Sequence, residues 1–307
     1  KSVIRHPCML IYLDNIGSVG PRSEAGQRRA RRGLTQTLNE NLAREILELH
    51  TLGVDGGYAQ EDVISLARAL SGWAFGGMRG PEAARPVHGG FEFRPQAHDP
   101  GPKTILGRVY AENGADEGLA VLDDLARHPA TARHIATKLV RHFVADDPPE
   151  AAVTRIARVF LDSDGDLAEV SRAVVALDQA WSDPLAKVKS HYEFVIAVHR
   201  ASGRIRPARQ EIFQPLTLLG QFPFSAPSPQ GWGDRARDWI APEALMRRVE
   251  WTRQFAAQLP ASLIPARFLD DTIGPVAGDA IHDWVRRAPS GDAALAMILA
   301  SPEFQRR

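Results

Sequence analysis

The chain has 307 residues, 44% of them hydrophobic and 24% charged. This is the balance of a folded globular protein with a core deep enough to need no staples. Lys plus Arg and Asp plus Glu both number 37, so zero net charge argues against a nucleic-acid binder working through a broad basic field.

No apolar run reaches the roughly 18 residues that a transmembrane helix needs. The single cysteine, Cys8, lies in the run HPCMLIYL. It has no partner for an internal disulfide and is expected to be a small buried hydrophobe. The chain begins at Lys1 directly in helical pattern, which suggests the later part of a longer precursor.

Residues 5–14 read as a short apolar helix. Residues 18–36, rich in Gly, Ser, Arg and Gln, show no period and read as a solvent-facing loop. Its basic cluster Arg28, Arg29, Arg31 and Arg32 either stays solvated or meets an anionic partner. A second helix runs from Asn39 or Asn41 to Leu52 and stops at Gly53. Its spacing turns Leu42, Ile46, Leu49 and His50 inward and groups Asn41, Arg44, Glu45, Glu48 and Leu52 on the other face. After a glycine turn, Gln60 to Ser71 forms a helix with Val63, Leu66, Ala67 and Leu70 on its apolar side. From 74 to 109 the helical period disappears. Phe91-Glu92-Phe93-Arg94 alternates like a strand, Thr104-Ile105-Leu106 reads as its return, and a small two-stranded excursion is expected.

The remainder is helical, over 114–127, 129–144, 149–162, 167–178, 186–201, 209–220, 242–258, 273–288 and 291–301. The break at 221–240, rich in Pro, Gly and aromatics, is expected to be an ordered irregular loop that buries its Phe and Trp residues. The fold class is therefore mainly α with a minor β piece, expected as a single domain over 1–307 with a soft boundary near 205–240.

Three groups of side chains could carry chemistry. Glu45 and Glu48, three apart on one helix face beside Arg44, could share a proton or bind a cation, or be the wet side of an amphipathic helix. His98 and Asp99, next to Pro100-Gly101 and followed by Lys103, could be an acid/base or ligand pair, or a turn aspartate beside a surface histidine. The helix HPATARHIATKLVRHFV places His134, Lys138 and Arg141 on one side with His142 and Thr137 flanking, and Ile135, Leu139 and Phe143 inward. That cationic face could hold a phosphate, sulfate or carboxylate, or pair with carboxylates. DSDGD at 162–166 imitates a calcium loop, but its glycine and the missing glutamate are out of place, so Asp166 is expected to cap the next helix. The spacing assigns no metal and no cofactor.

The stretches HPCMLIYLDN, NENLAREILELHTLGVDGGYAQEDVISLARALSGW, HDPGPKTILG, HPATARHIATKLVRHFVADDPP and LASPEFQRR resemble the bacterial "domain of unknown function 1800" proteins, in the family's order and over nearly the whole chain. The resemblance implies a mostly helical fold, export to the periplasm or outside the cell, a helical N-terminal portion of the precursor, and a sulfatase-like companion protein. It carries no catalytic assignment. This chain differs from the family pattern at Ala59, where a hydroxyl residue is common, at His191 where proline is usual, and at Gly233 where proline tends to follow Gly-Trp.

Two functions are consistent with this reading. One is an enzyme for hydrolysis or group transfer on a polar or anionic substrate (a sugar, phosphate or sulfate ester), with Glu45, Glu48, His98 and Asp99 catalytic and Arg44, Lys103, Lys138 and Arg141 binding. The other is a non-catalytic binding or scaffold protein whose charges form a structural ion-pair network.

Overall fold

A computed structural model of the chain describes residues 1–34, 38–76 and 90–307. The C-terminal end of the expected 18–36 loop and much of the first half of 74–109 lie outside the described residues. Contacts divide the chain into unit 1, residues 1–136 with 154–171, and unit 2, residues 137–153 with 172–307. The expected soft boundary near 205–240 falls inside unit 2. Among the described residues there are seventeen α-helices and two small sheets, as the mainly α reading requires.

In unit 1, α1 (Pro7–Tyr12) starts with His6 accepting from the Cys8 N–H and with Pro7 in its first turn, a position where proline loses nothing. It buries only Leu10, and Cys8 is exposed. The expectation of a buried cysteine is thus corrected: a six-residue helix offers one narrow face to the core. The expected loop at 18–36 is corrected as well, because Ser23 caps a helix, α2 (Glu24–Arg31). Glu24 in its first turn and three arginines in its last complement the helix dipole. With almost no apolar side chain, this helix gave the periodicity nothing to register.

The helix α3 (Asn41–Glu45) continues as a π-turn over Ile46–His50. Buried here are Leu42, Ala43, Ile46 and Leu47, while His50 is exposed and Leu49 half-buried. The wider turn rotates the residues at its C-terminal end and removes His50 from the expected inner face, while Leu52, expected on the polar face, is buried in the core. In α4 (Gln60–Ala69), Val63, Leu66, Ala67 and Leu70 are buried as their spacing demands.

Strand β1 (Trp73–Phe75) pairs antiparallel with β2 (Phe91–Phe93), Ala74 opposite Glu92. Strand β3 (Lys103–Ile105) forms a separate hairpin with β4 (Arg108–Tyr110). The expected pairing of 91–94 with 104–106 is therefore replaced by two hairpins. The helix α5 (Ala115–Arg127) packs on α4, and Val121 and Leu125 join Leu42, Ile46, Leu66 and Trp73 in one core. The chain then passes through α6 (Pro129–Phe143), α7 (Glu150–Asp162) and α8 (Leu167–Val175). The buried row of α6 is Ala132, Ala136, Val140 and Val144, not the expected Ile135, Leu139 and Phe143, and Phe143 is 53% exposed. Small residues face inward there, so weighting by side-chain size put the stripe one position out. Asp166 caps α8 through Ala168 N–H at 2.7 Å, as expected for the 162–166 turn.

Unit 2 continues with α9 (Gln179–Ser182), α10 (His191–Ala201), α11 (Arg209–Leu219), α12 (Ala236–Trp239), α13 (Pro242–Ala256), α14 (Pro265–Thr272), α15 (Asp279–Arg286), α16 (Gly291–Ala300) and α17 (Pro302–Gln305). Its core joins Phe194, Val198, Leu216, Phe255, Leu269 and Ile298. The expected helix 186–201 starts only at His191, because Val188 is paired antiparallel with Arg306 and Ser190 is the cap. In the 221–240 segment Trp239 is buried, but Phe224 is wholly exposed, so burial of its aromatics is only partial.

Candidate functional site

The residues singled out in the sequence fall into three groups. The first lies on α3. The Arg44 guanidinium reaches Glu40 at 3.1 Å and Glu48 at 3.6 Å, and donates to Gln60 at 2.9 Å. Burial, with the neighbouring Glu48 adding to it, raises the Glu45 carboxyl against the opposing effect of Arg44. Its Oε2 is buried without a hydrogen-bond partner among the described residues. The Tyr58 hydroxyl is pushed up to about 12 by burial and by its bond to Glu48.

The second group is dry. Ser71, His98, Asp99, Lys103 and Glu117 are all buried. Lys103 Nζ donates to Glu117 Oε2 at 2.9 Å and to the Asp99 carbonyl at 2.6 Å. His98 Nδ1 faces the Ser71 carbonyl at 3.0 Å. A carbonyl only accepts, so Nδ1 carries the proton, and Nε2, 3.3 Å from Lys103 Nζ and 3.2 Å from Glu117 Oε2, is enclosed between them. Asp99 turns the other way, accepting from Arg22 N, Nε and Nη2 at 3.0, 3.0 and 2.7 Å. His98 and Asp99 thus serve different partners. None of their bonds, nor those of Lys103, reaches Glu45 or Glu48 among the described residues. Glu117, which completes this cluster, carried no sequence signal beyond being an acidic residue in the first turn of a helix.

The third group lines a hollow of about 900 Å³ in unit 2. Lys138, Arg141 and His142 from the end of α6 form one wall, and Ser190, Tyr192 and Glu193 another. Trp232, Asp234, Arg235 and Trp239 close it. Lys138 has no partner among the described residues, and Arg141 makes only a long bond from Nε to the Asp146 carbonyl at 3.4 Å. His142 Nδ1 meets Asp234 Oδ1 at 3.0 Å, its side chain 46% exposed, and Nε2 has no partner among the described residues.

Asp234 is held from behind. The buried Lys187 ammonium donates to the Asp234 carbonyl at 2.5 Å and pairs with Asp146, which accepts the Ala236 N–H at 2.6 Å. Burial works to raise the Asp146 carboxyl, but the Ala236 N–H and Lys187 outweigh it and hold the group below the usual carboxylate range. A Cβ on Gly233 would fall 2.3 Å from the Asp238 carboxylate, so any larger residue here would have to displace that side chain. Of this group the sequence identified Lys138 and Arg141 and noted His142. Asp234, Lys187 and Trp232 were missed, because only the fold brings them to the end of α6.

Among the described residues no group of three or more His, Cys, Asp and Glu side chains is placed to hold a metal ion, and no helix is long and apolar enough to cross a membrane. Fold and side chains together define a mainly helical protein with a cation-bearing cavity. The family model for proteins of unknown function, DUF1800, matches residues 1–306, and the chain belongs to that family. Comparison with curated proteins and with solved structures gave no match.

Proposed function

We propose that the protein acts by hydrolysis or group transfer on a polar, anionic substrate, a phosphate or sulfate ester or a charged sugar, held in the hollow of unit 2. The observation that carries this reading is the His142–Asp234 pair, with one ring nitrogen anchored and the other without a partner among the described residues, on the same wall as Lys138, which has none among them either, and Arg141, which makes only one long bond. With Nδ1–H donated to Asp234, His142 Nε2 takes a proton from water. The hydroxide attacks phosphorus or sulfur, the ester P–O or S–O bond breaks, and the imidazolium returns the proton to the leaving oxygen. Lys138 and Arg141 neutralise charge on the oxyanion, and Tyr192 and Trp232 offer rings for a sugar face.

The test uses p-nitrophenyl phosphate, sulfate and glycosides with the purified chain. His142→Gln should lower kcat/KM by about 10²- to 10⁴-fold with unchanged melting, and Lys138→Gln should act mainly on KM. Absence of turnover on all of these would leave the alternative, a non-catalytic binding or scaffold protein.

A second reading places proton transfer at Glu45, whose buried, unpartnered Oε2 and raised carboxyl favour it. Turnover that survives His142→Gln but fails in Glu45→Gln would select it. Export and a sulfatase-like companion, which the family resemblance implies, belong to the same proposal. Fractionation of the native host and co-purification would decide them.

A further inference from the structure

A second cationic cavity lies in unit 1 and takes no part in the proposed reaction. It measures about 230 Å³ and is lined by Arg28 and Arg29 of α2 together with Ser18, Gly72, Arg94 and Gln96. Its walls are closely fitted. Gly72 sits at φ +81 with a Cβ position only 2.6 Å from the Arg94 carbonyl, so only glycine lets the two segments of chain meet. The Arg94 N–H then bonds the Gly72 carbonyl at 2.8 Å, and the Gly20 N–H bonds the Ala97 carbonyl at 2.8 Å. These bonds bring residues 94–97 against the turn that launches α2.

The charges around this cavity are poorly matched. Arg29 is half-buried and has no hydrogen-bond or ion-pair partner among the described residues. Arg28 reaches Glu24 only at 3.9 Å, with both side chains more than half exposed, and Arg94 reaches Glu92 only at 4.0 Å. Just before α2, by contrast, Arg22 has a bidentate carboxylate partner in Asp99. Ser18 is 2% exposed, and its Oγ accepts from the Asn39 N–H at 3.1 Å, which leaves its hydroxyl proton to donate. Three arginines line this partly enclosed space, and their like charges repel one another unless an anion joins them.

We infer that this cavity binds a tetrahedral oxyanion of the phosphate type. Guanidinium forks match such an anion two bonds at a time. The cavity of about 230 Å³ has room for a phosphate with some of its hydration. The site shares no residue with the hollow of unit 2 and stands whether or not that hollow is catalytic.

The experiment is calorimetric titration of the whole chain with inorganic phosphate and, separately, glycerol 3-phosphate, at low and fixed ionic strength. Wild type is compared with Arg29→Gln/Arg94→Gln and with Lys138→Gln/Arg141→Gln. The first variant should weaken one phosphate-binding event by about tenfold or more, as loss of charge-assisted bonds predicts. The second should leave that event in place. Tighter binding of glycerol 3-phosphate would identify a phosphomonoester as the ligand, and tighter binding of phosphate the free ion. Should the double variant melt early, Arg28→Gln, on an exposed side chain, gives the same reading. Wild type that takes up no phosphate at millimolar concentration, or binding untouched by loss of Arg29 and Arg94, overturns the inference.

Discussion

Unit 1 and unit 2 each place a histidine, a buried lysine and carboxylates in hydrogen-bond contact, and the two sets differ mainly in access. In unit 1, His98, Lys103 and Glu117 have side chains 4%, 2% and 0% exposed, and both nitrogens of the imidazole are committed. In unit 2, Lys187 is as dry as Lys103, but the histidine it supports through Asp234 is half out of the wall, with one nitrogen idle. The same residue types thus make a strut in one place and a reactive surface in the other. A buried ion pair contributes shape more than net stability and punishes the loss of either partner. An exposed dyad contributes little to stability and is free to exchange protons.

The strongest way to break this comparison is Lys103→Met. It strands the Glu117 carboxylate in a dry interior and is expected to cost about 3–5 kcal/mol in urea unfolding. Lys103→Met/Glu117→Leu should recover much of that, because two apolar side chains leave no orphan charge. A loss below about 1 kcal/mol would mean that water reaches the cluster, and the strut would then have to be counted as a candidate active site.

The contrast is sharpened by the dry side of unit 2. Trp239 lines the hollow and packs edge-on against His191 at 5.2 Å. His191 Nδ1 accepts from the fully buried Arg248, whose other bonds go to the Gln305 side chain and the Lys189 carbonyl at 2.8 and 2.7 Å. Burial, then Arg248 and Arg247, push the His191 imidazole down to about 4. As pH falls below about 6.5 the unfolded chain takes up a proton that the folded chain refuses until about 4. The stabilisation is therefore complete above 6.5 and lost between 6.5 and 4. At 1.36 kcal/mol per unit this is about 3 kcal/mol at most. His191→Gln should flatten that part of the stability–pH curve. A residual slope of the same sign is expected from His199, also lowered by burial. An unchanged curve would show that His191 is hydrated in solution.

What could be read from sequence depended on the physics of each signal. Strong apolar periodicity was read correctly in α4, where Val63, Leu66, Ala67 and Leu70 are all buried. It failed in α2, which has charges and a Ser23 cap but no apolar stripe, and in α3, where a π-turn breaks the regular helical period. Sites were legible as residue types and not as assemblies. Lys138 and Arg141 stood out because one helix carries both. Asp234 lies 92 residues from His142, a distance that no spacing rule spans. His98 and Asp99 looked like a pair because they are adjacent, and adjacency is what sends their side chains to different partners.

The smallest effect concerns one motif that is whole at one helix start and half made at another. In unit 2 the Ser190 hydroxyl accepts from the Glu193 N–H at 3.2 Å, while the Glu193 carboxylate accepts from the Ser190 N–H at 2.8 Å, a complete capping box at the start of α10. In unit 1, α4 has only half of it. The Asp62 carboxylate accepts from the Ala59 N–H at 2.8 Å, but Ala59 has no oxygen to return the bond, although its φ of −109 and ψ of 170 are those of a cap. The family resemblance implies a hydroxyl residue as the common choice at this position, and the backbone of this chain is already set to use one. Ala59→Ser should therefore stabilise the chain by about 1 kcal/mol, read as a higher urea midpoint with an unchanged slope. The converse, Ser190→Ala, should cost about as much. If Ala59→Ser gains nothing while Ser190→Ala does cost stability, the first turn of α4 is already satisfied by Asp62 alone, whose other oxygen also holds the Leu106 N–H at 2.7 Å.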